Sequence, residues 1–154
     1  MVKTYLGLGT NIGNRRRNLI TAAALLAERA GDVLSISCFY ETEPVGFQSD
    51  NQFLNAAVYL ETTCSPQELL EITQAIEREM GRTSKSVNGQ YKDRIIDIDI
   101  LLYGDWVINQ ETLTLPHPLM QEREFVMAPL AEIAPMVVHP VSGKTMQQIF
   151  EEIV

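Results

Sequence analysis

Arg94-Ile95-Ile96-Asp97-Ile98-Asp99-Ile100-Leu101-Leu102-Tyr103 sets two carboxylates two positions apart in an otherwise apolar, β-branched run. Such a run predicts a buried strand. On a strand, residues i and i+2 face the same way, about 6.6 Å apart from the rise per residue, so Asp97 and Asp99 point into one site. Two carboxylates among isoleucines repel each other and lose hydration. A divalent cation between them relieves both penalties, and hard oxygen ligands suit magnesium. Taken alone, the pair has an equal second reading, in which one Asp neutralises Arg94 and the other sits at a sheet edge.

Other residues extend the first reading. Arg82, Lys85, Lys92 and Arg94 cluster just before the acidic strand, and Leu115-Pro116-His117-Pro118 is followed by Arg123 and Phe125. Each basic residue taken singly reads as part of a solvated loop, and a lone histidine is more often structural than functional. Prolines on both sides, however, hold His117 in an extended loop, a poor place for a core histidine. Carboxylates, arginines and a histidine together suit a polyphosphate with magnesium, because the metal neutralises charge and guanidinium forks clamp oxygens. Phe53 and Asn55 share one face of another strand. An aromatic plate beside an amide suits a flat heterocycle with donor and acceptor edges, although Phe53 by itself reads as core. Gln74 and Glu77 lie three apart on one helix face with Leu70, by themselves a solvated face. Two nucleotide motifs fail. Gly7 to Gly13 has its third glycine one position late for a dinucleotide fingerprint, and Val138 stands where a P-loop ending in Gly143-Lys144-Thr145 needs glycine.

The elements that must hold these residues follow from periodicity and caps. Val2–Leu8 predicts a first strand. Asn14 caps a helix with Leu19, Ala23, Leu26, Ala27 and Ala30 on its apolar face, ended by Gly31. Val33–Tyr40 predicts one continuous strand, paired across a Pro/Gly loop with Phe53–Leu60. Ser65-Pro66-Gln67-Glu68 is a capping box opening a second helix that buries Leu69, Ile72, Ile76 and Met80 and ends at Gly81. After the acidic strand come a short strand at Trp106–Ile108 and short helices around Leu119, over Glu124–Ile133 and over Thr145–Ile153. The order β-α-β-β-α-β predicts an α+β, ferredoxin-like sandwich with a mostly antiparallel sheet.

With 154 residues, one domain (1–154) is expected. A net charge of -8 argues against nucleic-acid or anionic-membrane partners. Cys38 and Cys64 read as free thiols of a reducing compartment. No apolar run approaches the length of a membrane span and no signal-peptide core opens the chain, so a cytoplasmic protein is expected.

Five stretches, in order, resemble the 6-hydroxymethyl-7,8-dihydropterin pyrophosphokinase family of folate biosynthesis: Leu8–Gly13, Phe39–Gly46, Phe53–Ala56, Arg94–Leu101 and Leu115–Val126. The resemblance implies a monomer that moves a diphosphate from the co-substrate ATP to the pterin hydroxymethyl group. It implies that Asp97 and Asp99 bind two magnesium ions. Gly9, Thr42, Pro44, Val45 and Asn55 would line the pterin pocket, with Phe53 and Phe125 stacking on the ring. Gln74, Glu77, Arg82, Lys85, Arg94, Ile100, Thr114, His117 and Arg123 would contact or activate ATP, with Arg82, Arg94, His117 and Arg123 the catalytic members. Lys92-Asp93, Ser84, Thr112 and Pro118 depart from the family's usual residues. The segments Glu43–Asp50 and Arg82–Asp93 are expected to order over bound substrates.

Overall fold

The computed structural model describes residues 1–43, 52–81 and 95–154. Five strands, β1 (Val2–Thr10), β2 (Asp32–Ile36), β3 (Tyr40–Thr42), β4 (Phe53–Thr62) and β5 (Asp97–Tyr103), form the main sheet. Its order is β2-β4-β1-β5 with β3 also on β4, and each of these pairs is antiparallel. A small hairpin pairs β6 (Ile108–Asn109) with β7 (Thr114–Leu115). With β2 and β3 counted as one interrupted strand, this is the expected ferredoxin-like arrangement.

The helix starts follow their caps. Asn14 Oδ1 accepts the Arg17 N–H at 3.1 Å and opens α1 (Arg15–Arg29). Ser65 and Glu68 form a reciprocal capping box with Pro66 at the first position of α2 (Pro66–Glu79). After a single turn at Met120–Glu122, α3 spans Glu124–Ile133, and a second capping box, Thr145 with Gln148, opens α4 (Met146–Ile153). Such caps are each worth about 1 kcal/mol.

Three local expectations are corrected. The Val33–Tyr40 run is two strands, because Ser37 uses its side chain in the ladder. Its N–H donates to the Ala57 carbonyl and its Oγ accepts the Ala57 N–H, both at 2.9 Å. A hydroxyl in place of a backbone carbonyl lets the chain step off the sheet, and it rejoins at Tyr40. Trp106 lies in a turn, its N–H on the Tyr103 carbonyl, so β6 begins at Ile108. On α1 the buried alanine pair is Ala22 and Ala23, while Ala27 is exposed.

The two faces of the sheet are covered differently. Leu6, Leu8, Ala56, Val58, Leu60, Ile98 and Ile100 pack under α1 and α2. On the opposite face, Tyr5, Ala57 and Leu101 meet Met120, α3 (Val126, Met127, Leu130) and α4 (Met146, Ile149). That second cluster stops short of the end where β1 and β3 finish and β4 and β5 begin. There the side chains shrink: Tyr5, Gly7 and Gly9 share this face of β1, and Tyr59, Ala57, Asn55 and Phe53 share it on β4. Tyr5 and Tyr59 stack at 5.1 Å, and the strands then run to glycine and alanine, so the sheet itself presents little side-chain bulk there.

Candidate active site

One rung of the sheet organises the site. Gly9 at the centre pairs with Asn55 on one side and Asp97 on the other, and Tyr40 lies beyond Asn55. Asn55 and Asp97 therefore face the same way across two strand spacings, about 10 Å, with only Gly9 between them in the sheet. A Cβ on Gly9 would lie 3.1 Å from Asn55 Oδ1 and 3.6 Å from the Phe53 ring. Glycine in a central strand is costly, and its usual reason is such a close approach. On the next rung of the same face, Gly7 pairs with Asp99.

The ring-type half is ordered by a hydrogen bond. Asn55 is buried, and its Nδ2 donates to Thr42 Oγ1 at 2.7 Å. This fixes the amide orientation and turns Oδ1 toward Gly9. Phe53 sits opposite Thr42 and is half-buried. Phe125, at the start of α3, is half-buried with the Arg123 guanidinium 5.6 Å from its ring centre, a cation–π contact.

The acidic half depends on how β5 is pinned. Among the described residues β5 is a sheet edge, and its outward backbone groups need partners. Glu77 Oε2 accepts the Ile98 N–H at 2.8 Å, between the two aspartates. The β1–β5 register passes from Tyr5–Leu102 to Leu6–Ile100, so Leu101 is an extra, bulged residue. Its carbonyl accepts the His117 N–H at 3.0 Å. The bulge thus brings the His117 loop to the flank of the aspartates. Both carboxylates are half-buried. Among the described residues, no group of three or more His, Cys, Asp or Glu is placed to hold an ion. Two carboxylates on one face still fit magnesium, which keeps several waters and is held by one or two carboxylates with substrate phosphates.

His117 is tuned in the same place. Its Nδ1 accepts the Leu119 N–H at 3.3 Å, so in the neutral ring the proton sits on Nε2. Burial lowers its pKa most, the nearby Arg123 charge lowers it further, and Asp97 partly offsets both. Asp97, His117 and Arg123 are thus electrostatic neighbours, and the neutral ring is an Nε2–H donor.

The remaining expected residues divide by position. Thr114 lies on β7 and is half-buried; Gln74 is exposed on α2. Glu77 is buried behind the aspartate strand, and the Ile100 side chain is buried in the α1/α2 core, which leaves Ile100 its backbone as a contact. Pro44, Val45, Arg82, Lys85 and Arg94 lie outside the described residues, as do 44–50 and 82–93 of the two expected closing segments. The described ends of those segments meet at the rim. Gln52 Nε2 donates to Glu43 Oε1 at 2.5 Å, and Arg15 donates to the Gln52 carbonyl at 2.9 Å. Gly81 has φ +104°, and a Cβ there would lie 2.9 Å from Ile95 Cδ1. The sequence reading missed Arg15 and Asn18; Asn18 Nδ2 ties the Thr10 hydroxyl to the Ile12 carbonyl just past Gly9. Polar residues at a helix start beside a glycine-containing strand end were the available signal.

Comparison with known proteins adds the following. Residues 5–135 match the family model described as 7,8-dihydro-6-hydroxymethylpterin-pyrophosphokinase (HPPK). A 2-amino-4-hydroxy-6-hydroxymethyldihydropteridine pyrophosphokinase of Porphyromonas gingivalis is 51% identical over 141 residues, 91% of this chain and 95% of that one. The Bacillus subtilis protein of the same name is 48% identical over 134 residues, 86% and 78% of the two chains. A crystal structure of wild-type Plasmodium falciparum HPPK-DHPS with pteroate superposes with a TM-score of 0.78 at 18% identity. It covers 99% of this chain and 42% of that one, so the chain spans less than half of that protein and shares its fold over that part.

Proposed function

The chain belongs to the 7,8-dihydro-6-hydroxymethylpterin-pyrophosphokinase family, and from that membership we propose that it transfers a diphosphate from ATP to 6-hydroxymethyl-7,8-dihydropterin, releasing AMP, as a step of folate biosynthesis. The observation that carries the reading is the Gly9 rung, with an oriented amide on one side and a carboxylate pair on the other. A flat ring gripped at Asn55 and Thr42 extends over Gly9 toward the phosphate side, with nothing from the sheet in its path.

In this reading Phe53 and Phe125 stack on the ring, Gly9 gives it close access, and Pro44 and Val45 complete the pocket. Asp97 and Asp99 would hold two magnesium ions. Bound there, the metal supplies neutralisation of phosphate charge. The hydroxymethyl oxygen attacks the β-phosphorus of ATP in line and gives its proton up to solvent, the bond from that phosphorus to the α-side bridging oxygen breaks, and AMP leaves with the electron pair of that bond. His117 donates from Nε2 to a phosphate oxygen, while Arg82, Arg94 and Arg123 hold charge on the transferred group and on AMP. Lys85, Gln74, Thr114 and the Ile100 backbone serve ATP. Glu77 acts from behind by holding the strand that carries both aspartates. The same reading takes residues 1–154 as one domain working as a monomer in the cytoplasm, and sedimentation at the mass of a single chain checks the monomer. Among the described residues, no helix is long and apolar enough to cross a membrane.

The test supplies the purified protein with ATP, magnesium and the hydroxymethyl pterin, and identifies the nucleotide formed. AMP with pterin diphosphate is the expected result. ADP would indicate γ-phosphoryl transfer, and nucleotide binding with no turnover would indicate a sensing module; either overturns the reading.

A further inference from the structure

Glu132 lies in the last turn of α3, is exposed, and touches none of the residues assigned to chemistry above. An exposed carboxylate ordinarily points into water, yet both oxygens of this one accept hydrogen bonds from the protein. The Cys38 N–H donates to both of its oxygens, at 3.2 Å to Oε1 and 3.0 Å to Oε2, and the Tyr40 hydroxyl donates to Oε1. All these bonds come from the stretch where the β2–β3 strand is interrupted. There the Cys38 N–H has stepped off the ladder and needs an acceptor, which Glu132 supplies.

Two walls of the ring pocket depend on the elements joined at this point. Tyr40 rejoins the sheet opposite Asn55, and two residues later Thr42 sits opposite Phe53 and accepts from the Asn55 amide. On α3, Phe125 precedes Glu132 by seven residues, hence on the same side of the helix and about 10 Å along its axis. One end of α3 presents Phe125 and the other is fastened to the strand that orients Asn55. The hydrogen bond to Glu132, chiefly, pushes the Tyr40 hydroxyl up to about 12, so it remains a donor throughout the neutral range.

We infer that Glu132 is a positioning residue for the pterin pocket: by gripping Cys38 N–H and Tyr40 Oη it sets the spacing between the Thr42–Asn55 pair and Phe125. The inference rests on the reading of Thr42, Phe53, Asn55 and Phe125 as the ring site. It requires that loss of the grip weaken the pterin and spare ATP, whose carboxylate side at Asp97 and Asp99 lies across Gly9 from Asn55.

The experiment measures two affinities by calorimetry: a non-hydrolysable ATP analogue with magnesium, and the hydroxymethyl pterin added to protein saturated with that analogue. Glu132→Ala is expected to weaken the pterin about tenfold, the equivalent of one 1.4 kcal/mol step, with the analogue's affinity unchanged and KM for pterin rising more than kcat falls. Glu132→Gln keeps one acceptor oxygen and should recover most of the loss. Tyr40→Phe, which removes a single bond, should fall between the two. Wild-type pterin affinity in Glu132→Ala would overturn the inference, as would equal weakening of both ligands in step with a lowered melting temperature. If the wild-type protein binds the analogue but no pterin, the ring site itself is wrong and the inference falls with it. That outcome is distinct from one in which wild type and variant bind pterin alike.

Discussion

The two halves of one sheet face differ in what covers them. Around Tyr5 and Tyr59, α3 and α4 close over large side chains, and Leu130, Met127, Met120 and Met146 are fully buried. Four residues further along the same strands, the face carries Gly9 and Asn55 with half-buried Thr42, Phe53, Asp97 and Asp99 beside them. Side-chain volume accounts for the contrast. Where β1 and β4 present tyrosines they make a core that a helix must cap. Where they present glycine and a pinned amide they make a floor that a ligand can cap. Stability and function are thus written on the same face, a few residues apart, and are separable by mutation.

The largest expected effect lies in the ligand half. Asp97→Ala and Asp99→Ala should each lower kcat/KM by about three orders of magnitude, the scale of several kcal/mol of lost charge stabilisation. Melting temperatures should stay close to wild type. Turnover near normal in both variants would erase the distinction between the halves. The converse substitution, Leu130→Ala, should cost about 2–5 kcal/mol of unfolding free energy, read by denaturant titration. Its kcat, assayed well below the melting transition, should stay near wild type; a folded but inactive Leu130→Ala would show that the halves are coupled. Gly9→Ala is milder. The new methyl meets Asn55 Oδ1 at 3.1 Å, so KM for the pterin should rise about tenfold with the affinity for ATP unaltered.

The smallest effects concern the two histidines. His139 is sealed in the turn before α4 and its pKa is lowered by burial. A lowered folded-state value means that the unfolded chain binds the proton first. Its contribution is intact above the ordinary value of 6.5 and is lost as pH falls through that value to the depressed folded one. His117 has the same sign for partly different causes. Unfolding free energy should therefore fall on acidification below about pH 6.5, and His139→Gln should flatten that slope. Asp97→Asn removes a charge that raises the His117 value. By NMR titration, His117 should move lower still while His139 stays in place.

These histidines also mark how far local sequence reaches. Proline on both sides singles out His117 as a loop residue, yet His139 also precedes a proline, Pro140. Each accepts a backbone N–H two residues on at Nδ1, Leu119 for one and Val141 for the other. What separates them is the neighbour across space. The Leu101 bulge carries His117 to the flank of Asp97, and the turn before α4 buries His139. A bulge depends on the register between β1 and β5, strands nearly ninety residues apart, and no local window contains it. The Val33–Tyr40 run shows the same limit, since its alternation continues through Ser37 although the hydroxyl takes over the ladder there.

Short-range physics determined the caps at Asn14, Ser65 and Thr145, the helix and strand periods, and the shared face of Asp97 and Asp99, because each follows from residues within a turn or two of one another. Tertiary structure decided that Gly9 separates Asn55 from Asp97, that Glu77 is buried behind the aspartates and not beside them, and that Glu132 fastens α3 to the strand orienting Asn55. Those contacts join residues 21 to 94 positions apart. They exist because strand pairing and helix docking bring such residues together, at a cost in chain entropy that no local pattern encodes.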